Sequence, residues 1–140
     1  MRAVLIAVAA FVVCAALAGC HIHGRMYNLA TGEVTDFTFT YSGSGHGKIS
    51  ARFQSGEVIA GDYTTFSHPP LNWGAVYASV YGENRFGWMQ QGNTGQQQYG
   101  TGVAAGDMGF VADCEYVTSS ITHGSGACLA KDGIRYKVMW

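Results

Sequence analysis

Gly109-Phe110-Val111-Ala112-Asp113-Cys114-Glu115-Tyr116 decides the fold class, because the chain carries it twice. Gly56-Glu57-Val58-Ile59-Ala60-Gly61-Asp62-Tyr63 has the same order: a turn glycine, a strand-forming run, a small residue, an acid and a tyrosine. A second match overlaps the first. Gly102-Val103-Ala104-Ala105-Gly106-Asp107-Met108-Gly109 has the spacing of Gly126-Ala127-Cys128-Leu129-Ala130-Lys131-Asp132-Gly133, which runs on into Ile134-Arg135-Tyr136-Lys137-Val138. Each unit reads as a β-hairpin: a strand, a tight turn closed by glycine, and a return strand.

The neighbouring segments carry the same period. In Thr35-Asp36-Phe37-Thr38-Phe39-Thr40-Tyr41 the three aromatics share one face, and in Lys48-Ile49-Ser50-Ala51-Arg52-Phe53 the inward set is Ile49, Ala51 and Phe53. Alternation of this kind marks half-buried strands. Residues 73–81 read as a further strand, apolar on both faces and therefore central or covered. A turn at Gly82-Glu83-Asn84-Arg85 would pair it with residues 86–91, and the polar run from Gln90 to Gln98 reads as an exposed loop. His68-Pro69-Pro70 is expected to block pairing and divide the sheet in two. The expected fold is all-β: an antiparallel meander of hairpins, eight or nine short strands, forming a small barrel or sandwich, preceded by an N-terminal signal helix.

The first twenty residues are of another kind. One positive residue, Arg2, precedes an uncharged apolar stretch from Ala3 to Ala18 that ends in small residues. Those are the parts of a secretory signal, and the stretch is shorter than the roughly 18 residues or more of a spanning helix. Leu17-Ala18-Gly19-Cys20 resembles the lipobox of bacterial lipoproteins. The resemblance implies a diacylglyceryl thioether on the Cys20 sulfur, cleavage between Gly19 and Cys20, and a membrane bond made by acyl chains, each buried methylene adding about 0.8 kcal/mol. An ordinary signal cut after Ala16 or Ala18 is the alternative. In enteric-type bacteria an aspartate after the cysteine favours inner-membrane retention; His21 stands there, which points to the outer membrane's periplasmic face. The stretch Tyr116 to Trp140, with Cys114, Gly124-Ser125-Gly126-Ala127-Cys128, Asp132-Gly133 and Tyr136, is similar to the ends of small uncharacterised Gram-negative outer-membrane lipoproteins. The expected division is a signal over 1–19, a lipidated cysteine and tether over 20–33, and a β-domain over 34–140.

Without Arg2, seven of the eight Lys/Arg remain against nine Asp/Glu. A slightly acidic chain with no basic run argues against nucleic acid as a partner and offers no polybasic patch to lipid heads. Cys14 leaves with the signal and Cys20 takes lipid, so Cys114 and Cys128 remain as a disulfide pair in an oxidising compartment. A redox role for them with His123 is the weaker reading, since nothing nearby would lower a thiol pKa.

The remaining constellations read as structure. His21 and His23 offer two imidazoles without a third ligand, so no metal site is expected. Ser42-Gly43-Ser44-Gly45-His46-Gly47 resembles a phosphate loop in composition but joins two strands and carries no lysine in place. Trp73, Trp88, Tyr77 and Tyr81 suit sugar stacking, yet aromatics in so small a β-domain chiefly fill the core. Asp113 and Glu115 share a strand face, as Asp62 would with Ala60, without a second carboxylate placed opposite for acid–base work. No catalytic residue and no cofactor beyond the lipid on Cys20 is therefore expected. The expected function is a non-enzymatic structural or interaction role in the envelope, with an envelope protein or glycan as possible partner. The alternative is a small binding or inhibitor module: lysozyme-inhibitor lipoproteins are similar in size and anchoring, and Ser55-Gly56-Glu57 with Tyr63 resembles their motif, but their tryptophan–lysine–glycine segment is absent.

Overall fold

The computed structural model describes residues 20–41, 43–83 and 97–140. The signal helix expected over 1–19 and the strand expected over 86–91 lie outside them. Eight strands follow in order: β1 (Cys20–Asn28), β2 (Val34–Tyr41), β3 (His46–Arg52), β4 (Val58–Phe66), β5 (Gln98–Gly106), β6 (Val111–Ser120), β7 (His123–Ala130) and β8 (Arg135–Met139). Each pairs antiparallel with the next, and β8 returns to β1, from Arg25 opposite Met139 to Asn28 opposite Tyr136. The sheet is a closed barrel. Sandwich and barrel bury the same alternate residues, so only this last pairing separates them.

The barrel is four hairpins in series, β1–β2, β3–β4, β5–β6 and β7–β8, whose turns all lie at one end, here the lower end. Each turn is closed by a glycine, Gly32, Gly56, Gly109 or Gly133, with φ between +77° and +110°. In three of them the bonding is the same. The amides of Phe53, Gly106 and Ala130 donate to the carbonyls of Glu57, Phe110 and Ile134, and the closing glycine amide donates back to the residue that opens the turn. The repeat in the sequence is thus a repeat of hairpins, and all eight strands and the closing seam fall within residues 20–140, which form one folding unit.

Three expectations need correction. Residues 20–28 are no tether: they form β1, paired with β2 from Cys20 opposite Tyr41 to Tyr27 opposite Val34. Polar residues on the outer face (His21, His23, Arg25) masked the inward set Ile22, Gly24 and Met26. His68-Pro69-Pro70 does not divide the sheet, because β4 and β5 pair directly from Ile59–Gly106 to Phe66–Tyr99 and the prolines merely begin the long connection outside them. Residues 73–81 are not a strand. Ala75–Tyr81 is a helix, α1, packed on the outside of the barrel against β6, β7 and β8.

α1 arises because Trp73, Tyr77 and Tyr81 also recur every fourth residue, the spacing of one helix face. Their rings stack in sequence, 5.7 Å from Trp73 to Tyr77 and 4.4 Å from Tyr77 to Tyr81. Trp73 and Tyr77 are buried against Tyr99 and Val117, which point out of the barrel. A closed sheet has no edge for a ninth strand, so helix is the conformation that satisfies this backbone. The barrel also caps the helix, which has no side-chain cap of its own at Gly74. The Tyr77 amide donates to Glu115 Oε2 of β6 at 2.8 Å, and Arg135 Nη1 of β8 donates to the Ser79 carbonyl at 2.9 Å. Acid at the N-terminal turn and base near the C-terminus complement the helix dipole. Glu115→Ala is expected to cost about 2 kcal/mol by urea unfolding, since it strands a buried amide, and Glu115→Gln, which keeps an acceptor oxygen, much less.

The outer face of β1 to β4 is polar, with exposed ion pairs Arg25–Asp36 (3.8 Å) and Lys48–Asp62. The inward face carries Met26, Phe37, Ile59, Ala112, Cys128 and Tyr136, all buried. Membrane-spanning barrels carry the reverse pattern, apolar outside and polar within.

Candidate functional site

The inner wall is built from four cross-strand pairs of glycine and aromatic, one in each hairpin. Gly24 faces Phe37, Gly47 faces Tyr63, and Gly100 faces Tyr116 in direct register. Gly124 and Trp140 exchange both backbone hydrogen bonds, N–O 3.0 and 3.2 Å. In every pair the ring lies on the glycine: a Cβ on any of the four would collide with its partner's ring atoms. The first strand of each hairpin gives up its side chain so that the second can lay a ring across the interior. The sequence carried a signal for this. Gly47-Gly56-Tyr63, Gly100-Gly109-Tyr116 and Gly124-Gly133-Trp140 repeat inner glycine, closing glycine and aromatic at one spacing.

The rings then meet across the barrel. Phe39, Tyr63, Tyr116 and Trp140 form a closed circuit of edge-to-face contacts, with centroids 5.8 Å (Phe39–Tyr63), 6.0 Å (Tyr63–Tyr116), 5.7 Å (Tyr116–Trp140) and 5.3 Å (Trp140–Phe39). At the lower end Phe53, Phe110 and Tyr136 contact one another at 5.0, 5.7 and 6.1 Å and form a floor. Glu57 seals the turn beneath it: its Oε1 accepts from the Met108 and Phe110 amides at 3.1 and 2.8 Å. Above this floor the interior is not filled. A cavity of about 110 Å³ is lined by apolar side chains, among them Met26, Phe37, Ile49, Ile59 and Val138, with Tyr41, Thr65, Gln98, Thr118 and Ile121 at its upper rim. Eight strands enclose an interior that side chains can just fill or that holds one small ligand; here the fill stops short.

Tyrosine hydroxyls hold the wall in place. Tyr63 donates to the Thr40 carbonyl at 2.7 Å, and the Tyr116 hydroxyl lies 2.7 Å from Thr65 Oγ1 and 3.3 Å from the Thr64 carbonyl. Burial pushes the Tyr116 phenol up to about 12, the Thr65 hydrogen bond opposing it, and burial also raises Tyr63. A phenol whose folded pKa lies above its unfolded value stabilises the fold fully below pH ~10 and loses that contribution as pH rises through the folded pKa. Stability is therefore expected to fall between about pH 10 and 12, by about 2 kcal/mol on account of Tyr116. Urea midpoints at both ends of that window, in a chain carrying Cys20→Ser, check this, and Tyr116→Phe should flatten the decline.

The structure brings some of the residues singled out in the sequence together and leaves others apart. Cys114 and Cys128 form a disulfide across β6 and β7, their side chains lining the cavity. Cys20 is exposed, opposite the rim residue Tyr41, so it sits at the upper end of the barrel. Glu115 caps α1, and its strand neighbour Asp113 is exposed beside it. His23 stands on the outer face beside Thr38 (Nδ1–Oγ1 3.2 Å), and His123 contacts Thr122 Oγ1 at 2.9 Å in the β6–β7 turn. Among the described residues no three potential metal ligands gather. Trp73 and Tyr77 are buried under α1, while Trp88 lies outside the described residues. The inner glycines and Trp140 were not foreseen as a site.

Comparison with protein-family models, curated proteins and solved structures finds no match to this chain.

Proposed function

We propose that this protein is a lipid-anchored, non-enzymatic component of the bacterial envelope, held by acyl chains on Cys20 at the periplasmic face of the outer membrane. The observation that carries the reading is the position of Cys20. It ends the lipobox-like Leu17-Ala18-Gly19-Cys20 and is also the exposed first residue of β1. Lipid on its sulfur would hold the barrel against the bilayer by the end at which β1 begins. The polar outer face of β1 to β4 supports attachment through acyl chains rather than through the strands.

Cys20→Ala is expected to abolish incorporation of labelled palmitate, to leave uncut precursor and to move the protein out of the membrane fraction. Unchanged processing and fractionation would refute the anchor. The second reading, a small binding module, draws on the cavity. Glycan stacking on Trp73 or Tyr77 is the less supported form of it, because both rings are covered.

A further inference from the structure

We infer that the outer surface of the barrel's upper end is a docking face for an anionic membrane surface, engaged when its histidines carry charge and released when they are neutral. This rests on the anchor proposed above for the orientation of the tethered barrel; the charge pattern itself does not depend on lipid. The first observation is where the fold puts histidine. The five are scattered from His21 to His123 in the sequence, in no basic run. Strand direction brings them to one end. His21 and His23 lie in the upper half of β1, His46 opens β3, His123 opens β7, and His68 follows the upper end of β4. All five are exposed.

The second is that carboxylates gather at the other end. Each of the four lower turns carries one, Glu33, Glu57, Asp107 and Asp132. Each is fixed there by a backbone amide it accepts from: Gln54, Phe110, Val58 and Ile134 in turn, at 2.8–3.1 Å. An anionic surface is therefore repelled by the lower end. Both ends expose apolar side chains, Leu29 and Met108 below, Leu71 and Ile121 above. Only the upper pair stands among groups that can become cations, Leu71 on the connection that holds His68 and Ile121 in the turn before His123.

The third is what faces the histidines. Their neighbours are hydroxyls: Nδ1 of His23 lies 3.2 Å from Thr38 Oγ1 of β2, Nδ1 of His46 3.2 Å from Thr64 Oγ1 of β4, and Nδ1 of His123 2.9 Å from Thr122 Oγ1. His21 stands opposite Thr40 of β2. The cations on the same strands, Arg25 and Lys48, have their own acids in Asp36 and Asp62. Among the described residues no carboxylate pairs with a histidine. The other titratable groups of this end are Cys20, Tyr41 and the terminal carboxylate on Trp140, whose backbone pairs with Gly124 beside His123. Imidazole as a group changes its charge between about pH 8 and 5. A cation near an anionic bilayer gains about fivefold in partitioning, so several acting together make a switch.

The test uses residues 20–140 with Cys20→Ser, which carry no lipid. Sedimentation with vesicles of equal parts phosphatidylglycerol and phosphatidylcholine is expected to show partitioning that rises about a hundredfold or more from pH ~7.5 to pH ~5 and falls in high salt. Phosphatidylcholine alone should show no such rise. His21→Gln/His46→Gln/His68→Gln/His123→Gln should remove most of it. His21→Lys/His46→Lys/His68→Lys/His123→Lys should bind at both pH values, which keeps the test decisive at neutral pH. Leu71→Ser/Ile121→Ser should weaken binding about tenfold, whereas Arg52→Gln/Lys131→Gln, at the lower end, should leave it unchanged. A rise that survives the four glutamines, a lysine variant that ignores anionic vesicles, or an equal loss from the lower-end pair would overturn the proposal. So would soluble polyglutamate binding as tightly as the vesicles, which would make the partner an acidic polymer. The anchor fails separately: palmitate-labelled protein whose lipid-free form ignores vesicles refutes docking alone, and a lipid-free form that binds while the full chain takes no label refutes the anchor alone.

Discussion

Gly100→Ala is expected to destabilise the barrel by about 3 kcal/mol, at the upper end of what overpacking a core costs. In a half-exposed strand the same change would gain a little from the smaller backbone entropy of alanine. Here the added Cβ falls within the Tyr116 ring, against Cζ, Cε1 and the hydroxyl oxygen. Tyr116 cannot yield cheaply. Its ring is held by Tyr63 and Trp140 at 6.0 and 5.7 Å, and its hydroxyl by Thr65. Urea unfolding should show the loss, and circular dichroism should show whether the barrel survives it. Gly102→Ala is the control. Two residues along on the same face, its Cβ would stand 3.2 Å from the Asp62 carbonyl and 3.3 Å from Ile49 Cδ1, a side-chain end able to shift. A small effect is expected there. The Gly100→Ala/Tyr116→Leu double variant should be more stable than the sum of its single changes, because the collision is removed with the ring. Equal losses at Gly100 and Gly102 would mean that the ring is not what excludes a side chain.

Removing the Cys114–Cys128 disulfide should cost about 3 kcal/mol, the chain-entropy value for a loop of this size. The bond joins residues 14 apart, directly opposite on β6 and β7, and so ties the third hairpin to the fourth. The two sulfurs also line the cavity, so Cys114→Ala/Cys128→Ala widens the interior and adds a packing loss to the entropic one. Reduction without substitution leaves the volume in place. It should therefore destabilise less than the double alanine variant, and the difference reads the packing part. Thermal unfolding of the oxidised, reduced and double-alanine chains measures all three. A double variant as stable as the oxidised protein would mean that the barrel's own pairing already restrains these strands in the unfolded ensemble.

These two sites also mark how far the sequence could be read. The hairpins were legible from Gly56 to Tyr63 and from Gly109 to Tyr116, because a closing glycine and a period of two are local properties of a strand pair. The disulfide was legible by the same token: once residues 109–116 and 126–133 are adjacent hairpins, Cys114 and Cys128 fall on neighbouring strands. The inner glycines were not read as a site, although Gly47, Gly100 and Gly124 repeat their spacing to Tyr63, Tyr116 and Trp140. A glycine within a strand says only that a side chain is missing; which ring occupies its place depends on cross-strand register.

What the sequence by itself determined is thus the class of structure and the inward-facing set of β2 and β3, since burial of alternate residues is written residue by residue. Closure, the helix, the first strand and the cavity were decided by tertiary structure. Closure depends on register accumulated around eight strands until Asn28 meets Tyr136, and no single segment carries that sum. Ala75–Tyr81 satisfies a period of two and a period near four alike, and it became helix because the closed sheet offered no edge and Glu115 and Arg135 stood ready to cap it. Residues 20–28 became strand because β2 and β8 both had a free edge for them. The cavity is the difference between the volume eight strands enclose and the volume the inward side chains fill, a quantity that exists only once the barrel has closed.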